Sequence, residues 1–186
     1  MNQNLEKDII GVILSEEEIQ TKVSALGKQI TDYYLSIPAK EIVVIGILRG
    51  AVVFLSDLIR HIDMPLSIDF MAISSYGNEA SSSGTVRILK DISELIEGKH
   101  VLVVEDIIDT GLTWNCLKDI LWARNPKSLN LCAFLNKPSR RMIPVDIDFC
   151  GYEIPDDFVV GYGLDYNGYY RHLPYVAILN PEVYQK

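Results

Sequence analysis

An α/β fold built on a mainly parallel sheet is what this sequence predicts, on three observations. Apolar runs of strand length alternate with stretches that carry helical periodicity, the alternation that marks α/β chains. The runs at 42–47 and 101–104 contain no polar residue, as expected of strands covered on both faces. Twice a run closes on a short turn and passes into a helical pattern, the strand–loop–helix unit that such sheets repeat. The 186 residues suffice for one well-buried domain and hardly two, so a single core is expected.

The elements follow in order. Ser15-Glu16-Glu17-Glu18 reads as a capping box, and Ile19, Val23, Leu26 and Ile30 mark one face of a helix that ends before Pro38. Residues 42–47 form a β-branched strand closing on Leu48-Arg49-Gly50, and helical spacing resumes over 51–59. Residues 66–75 alternate like a strand, and 100–105 give a second buried strand followed by a helix over about 112–124. A further buried strand is expected at 129–135. Beyond Lys137 the pattern breaks into short strands among Pro138, Pro144, Pro155, Gly161, Gly163, Gly168 and Pro174. That closing segment therefore reads as an appended, loop-rich subdomain rather than another repeat of the sheet.

Composition excludes several classes of function. Seventeen basic and twenty-five acidic residues leave a net charge of −8, which repels phosphate backbones and anionic lipid unless a basic patch intervenes. Arg140-Arg141 is only a pair, so neither a nucleic-acid nor a membrane partner is expected. The opening MNQNLEKDII lacks a basic start followed by an apolar run, and no apolar segment approaches the roughly 18–20 residues that span a bilayer. Cys116, Cys132 and Cys150 are far apart, odd in number and set in apolar surroundings, which suits buried free thiols in a reducing compartment. A cytoplasmic location is the natural expectation.

The chemistry concentrates in VLVVEDIIDTGLTW, residues 101–114. Parallel α/β sheets bind ligands at the carboxyl ends of their strands, and Glu105, Asp106 and Asp109 leave the strand at such an end. Capping or solvent exposure explains Asp109 alone. It does not explain Glu105-Asp106 at the mouth of so apolar a strand, where burial raises carboxylate pKa values unless a cation or hydroxyl donors meet them. Asp109-Thr110-Gly111 also matches the aspartic-protease signature, but that chemistry needs two facing carboxylates in an all-β protein, and no second such turn is present. A phosphoacceptor receiver domain clusters acids around magnesium in a parallel sheet, yet leaves Thr110-Gly111-Leu112-Thr113 unexplained. No strand is followed by GxGxxG or GxxxxGK[ST]. The turn instead offers backbone N–H groups at a helix start and two threonine hydroxyls, a cup for phosphate. Acids suited to vicinal hydroxyls or hydrated magnesium stand beside it, and a ribose phosphate presents both groups.

On these residues the stretch resembles the phosphoribosyl-pyrophosphate motif of the type I phosphoribosyltransferases. The likeness extends from about Ile42 to Ile178 and is closest to the hypoxanthine-guanine phosphoribosyltransferases. The resemblance implies the type I fold, with a central mainly parallel sheet flanked by helices, a small hood subdomain and a mobile lid loop. The core would span about 36–150 and the hood about 1–14 and 151–186 of a single domain. It implies purine salvage, with transfer of the phosphoribosyl group to hypoxanthine or guanine and release of pyrophosphate, magnesium as cofactor, and assembly into a homodimer or homotetramer.

Roles carry over residue by residue as expectations. The resemblance places Glu105 and Asp106 on the ribose hydroxyls and magnesium. Thr110, Gly111, Leu112 and Thr113 form the 5′-phosphate cup, and Asp109 stands beside the purine imidazole as general base. Leu48, Arg49 and Gly50 correspond to a pyrophosphate loop that opens on a cis peptide, with Arg171 neutralising the same group. Ser75 and Tyr76 would close the lid. Lys137 would bond the 6-oxo group, while Ile107, Phe158, Val159, Leu164 and Asp165 would surround the purine. Asp165 would also hold a second magnesium through water. Leu112 and Arg49 stand where some members carry lysine, which weakens one charge contact and leaves the backbone cup intact. A sensor that keeps the fold and binds nucleotides or RNA without turnover is the alternative, and the acidic chain argues against its RNA form.

Overall fold

A computed structural model describes residues 5–75 and 86–185. Strands β1 (Ile9–Leu14), β2 (Ile42–Leu48), β3 (Leu66–Ser75), β4 (Val86–Lys90), β5 (His100–Ile108), β6 (Ser128–Asn136), β7 (Phe149–Glu153), β8 (Val159–Val160) and β9 (Val176–Leu179) form two sheets. The larger runs β4-β3-β2-β5-β6-β7. Its strands are parallel except β4, which returns antiparallel on β3. The smaller sheet, β1-β9-β8, is antiparallel and joins the amino-terminal segment to the closing one.

Helix α1 (Glu16–Ser36) starts where the sequence places it, because Ser15 and Glu18 satisfy each other's backbone N–H groups. Its buried stripe of Ile19, Val23, Leu26 and Ile30 packs with Phe54, Leu55 and Leu58 of α2 (Val52–Leu58) on one face of the large sheet. Helix α3 (Leu112–Trp122) covers the opposite face with Trp114, Leu117 and Leu121. Strand residues alternate between these two cores: Val44, Leu102 and Val104 face the first, and Val43, Ile45, Val101 and Val103 the second. With both faces buried there is no room for a polar side chain, hence the unbroken apolar runs.

The closing segment differs from the sequence-based expectation in one respect. Phe149–Glu153 is a parallel strand on β6 and so extends the main sheet, and the expected core boundary at 150 falls inside it. The strand is short, lies at the edge and has Gly151 at its centre, so no apolar run announced it. A side chain at Gly151 would collide with the Phe134 carbonyl of β6. As an edge position β7 also leaves Cys150 exposed, whereas Cys132 is buried as expected.

Asp69 on β3 anchors the crossing after β4. Its carboxylate accepts N–H bonds from Phe70, Ser93 and Glu94 at 2.7, 2.5 and 2.9 Å and pairs with Lys90 at 3.2 Å. Burial alone would raise this carboxyl, but the backbone donors and Lys90 hold it down to about 2 against an ordinary 3.8. A depressed folded-state value stabilises the fold above the unfolded pKa and is lost as pH falls through the folded one. Between pH ~4 and ~2 the protein should lose about 1–2 kcal/mol from this group, after screening at the half-exposed Lys90. Urea titrations at the two pH values check this, and Asp69→Asn should be less stable at neutral pH and lack that increment.

Candidate active site

Parallel pairing brings the carboxyl ends of β2, β5 and β6 together. Strand β5 runs three residues further than the sequence suggested, to Ile108, so Asp106 joins Glu105 in the strand itself, and Glu105 sits opposite Ala133 of β6. Glu105 is buried, and its Oε1 has no hydrogen-bond partner among the described residues. Burial, then the neighbouring Asp106 charge, pushes its pKa well above the carboxylate range. Burial also raises Asp106, to about 6, although its carboxylate accepts the Ile107 N–H at 3.0 Å.

Three loops converge on these acids. The Leu48–Arg49 peptide is cis, as the resemblance implied, and the turn brings Gly50 so near β5 that a side chain there would overlap the Asp106 carboxylate. Gly163, with φ of +100°, lies in turn against the Gly50 carbonyl, leaving no space for a Cβ. Arg171 donates to the Gly163 carbonyl at 2.5 Å and pairs with Asp165 at 2.5 Å. Asp165 also accepts the Gly168 N–H at 2.7 Å. The Arg171 charge lowers the Asp106 pKa and that of Asp165 raises it, so the two clusters sense each other electrostatically. Arg49 is exposed.

Beyond the acids lies a cleft of about 260 Å³, lined by Glu105, Asp106, Ile107, Asp109, Thr110, Gly111 and Thr113 among others. Gly111 is the N-cap of α3 with φ of +84°, and no side chain caps the helix start. The first-turn N–H groups of α3 are therefore available to an anion, which the helix dipole also favours. Leu112 N–H makes only a long 3.4 Å contact to the Thr110 hydroxyl. Asp109 Oδ1 is buried and without a hydrogen-bond partner among the described residues.

Lys137 is not the solvated loop lysine that an isolated Lys usually is. It is buried, donates to the Asp157 carbonyl at 2.7 Å and lies 3.9 Å from the Asp156 carboxylate. Burial lowers its pKa, while the charge of Asp109 works the other way. Val159 and Leu164 are buried nearby in sequence, and the Phe158 ring stacks on Tyr184 at 4.7 Å. Ser75 ends β3, while Tyr76 and the rest of the expected lid, with the serine-rich stretch at 80–84, lie outside the described residues. Sequence reasoning missed Gly163 as the partner of Gly50, because contact between two glycine turns leaves no periodic trace.

Buried carboxylates with an unpartnered oxygen are hard donors that fit magnesium. Among the described residues no group of three or more His, Cys, Asp or Glu is placed to hold a metal ion by itself.

Comparison with known proteins agrees with this geometry. The phosphoribosyl transferase domain model matches residues 12–167. The hypoxanthine-guanine phosphoribosyltransferase of Bacillus subtilis (strain 168) is 48% identical over 97% of this chain and 99% of its own. The hypoxanthine phosphoribosyltransferase of Salmonella typhimurium is 49% identical over 92% of this chain and 96% of its own. A crystal structure of the hypoxanthine phosphoribosyltransferase from Staphylococcus aureus superposes with a TM-score of 0.94 at 46% identity, covering 100% of both chains. With strand-end acids, an uncapped helix start beside them, and 46–49% identity to these enzymes over nearly the full length, the chain belongs to the hypoxanthine-guanine phosphoribosyltransferases, on the phosphoribosyl transferase domain.

Proposed function

We propose that this protein salvages purines by transferring the phosphoribosyl group of phosphoribosyl pyrophosphate to hypoxanthine or guanine, giving IMP or GMP and pyrophosphate. The observation that carries the reading is Glu105-Asp106 buried beside an uncapped helix start across one cleft, complementary to a ribose and its 5′-phosphate. Thr110, Gly111, Leu112 and Thr113 hold the phosphate, and Glu105 and Asp106 meet the sugar hydroxyls. Leu48, Arg49, Gly50 and Arg171 receive the pyrophosphate. Ile107, Phe158, Val159 and Leu164 frame the base.

Glu105 and Asp106, with Asp165 at a second position, would hold magnesium, which offsets charge on the departing pyrophosphate when bound. The residues themselves supply positioning. The cup and acids fix the sugar, so that the base nitrogen attacks the anomeric carbon opposite the leaving group. An acid-lined, dry cleft stabilises the positive character that the sugar develops. Asp109 takes the proton that the purine imidazole loses.

Lys137 supports a 6-oxopurine, because its ammonium donates and the 6-amino group of adenine also donates. Lys137→Met should lower kcat/KM for hypoxanthine about 10- to 100-fold, the value of one hydrogen bond from a charged group. Adenine rates should stay low and change little, so steady-state comparison of the two bases checks the assignment.

A cytoplasmic homo-oligomer, dimer or tetramer, completes the proposal. Supporting it, no helix among the described residues is long and apolar enough to cross a membrane, and edge strand β4 exposes Ile88 and Leu89. The activity is tested by pyrophosphate release with magnesium, phosphoribosyl pyrophosphate and each of hypoxanthine, guanine, xanthine and adenine. Turnover with the first two and little with adenine is expected, and no turnover with any base would overturn the proposal.

A further inference from the structure

Arg141 has no role in the account above, yet it ties together the strands that deliver Asp109 and Lys137. Its Nη2 donates to the Ile108 carbonyl at 3.3 Å and also to the Asn136 side-chain oxygen. Ile108 and Asn136 are the last register pair of β5 and β6. The same Ile108 carbonyl accepts the Lys137 backbone N–H at 2.9 Å. One guanidinium thus bridges the residue before Asp109 and the residue before Lys137.

The chain around Arg141 extends this clasp to the phosphate turn. Met142 and Ile143 N–H groups both donate to the Thr110 carbonyl, at 2.9 and 3.2 Å. A Cβ on Gly111 would meet the Ile143 carbonyl and the Val145 side chain, with the Arg141 stem beside them at 3.3 Å. Strand ends beyond the last ladder bond are free to splay, and one Nη2 that donates to both edges removes that freedom. An ammonium also carries several donors, but on a stem without the planar guanidinium that places Nη2 between the two edges.

We infer that Arg141 is a positioning residue that sets the spacing of Asp109 and Lys137 across the purine subsite without touching substrate. The inference rests on the reading of that subsite given above. Misplacement of a catalytic group by an ångström costs on the order of 100-fold, so the effect should fall on the base and not on the stability of the fold.

The experiment compares wild type, Arg141→Met and Arg141→Lys for kcat and KM with hypoxanthine and with phosphoribosyl pyrophosphate, alongside melting midpoints. Arg141→Met should lose about 10- to 100-fold in kcat/KM for hypoxanthine, with KM for phosphoribosyl pyrophosphate changed only a few-fold and adenine discriminated less sharply. Arg141→Lys should recover part of the loss. If Arg141→Met does not fold, Arg141→Lys carries the same substrate split. A loss shared equally by both substrates and following the melting midpoint would make Arg141 merely structural, and unchanged kinetics would remove it altogether. Wild type inactive on hypoxanthine would instead overturn the underlying reading.

Discussion

Asp109→Asn is expected to lower kcat with hypoxanthine about 100-fold or more, while KM for phosphoribosyl pyrophosphate changes only a few-fold. The substitution is nearly isosteric, so it leaves the turn and the start of α3 in place. It removes the carboxylate proposed to take the imidazole proton. Asp109 lines the cleft, and its buried Oδ1 has no hydrogen-bond partner among the described residues, so an acceptor is held there before any base arrives. An amide cannot take the proton, and the attacking nitrogen then keeps it through the transition state. Single-turnover rates separate this from slow product release. Full turnover in the variant would remove the general-base role and leave the fold assignment standing.

Gly50→Ala should lower kcat/KM for phosphoribosyl pyrophosphate by about 100-fold, the usual cost of a small misplacement in a site built on positioning. The new methyl would overlap the Asp106 carboxylate. That carboxylate sits on a short side chain of a strand paired in register on β6, so relief requires it to swing or the turn at 48–50 to back away. Either movement separates the acid from the loop. Gly50 is not among the residues with positive φ, so alanine does not strain its backbone, and the melting midpoint should move far less than activity does. Unchanged kinetics would mean that the close approach of Gly50 to Asp106 has no part in holding the sugar and pyrophosphate.

What the sequence made legible follows from where periodic burial decides structure. The capping box fixed the start of α1, and the unbroken apolar runs located β2, β5 and β6 because helices cover both faces there. The end of β5 was misplaced because Asp106 breaks that pattern, while Ile107 and Ile108 beyond it still pair in the ladder. The violation is itself the mark of the site, since buried acids are kept where a ligand compensates them. Strand β7 escaped notice because an edge strand with a central glycine carries no apolar run. Lys137 follows the end of β6, and no local signal shows that the 156–157 turn folds over it. Arg141 was dismissed as half of a basic pair for the same reason, since its partners Ile108 and Asn136 meet only through the sheet.

The most direct measurement is a crystal structure of the protein with GMP, magnesium and pyrophosphate. The 5′-phosphate should lie on the N–H groups of Gly111–Thr113, the ribose hydroxyls at Glu105 and Asp106, and the purine between Asp109 and Lys137. A phosphate bound away from the start of α3, or a base that avoids both Asp109 and Lys137, would contradict the account.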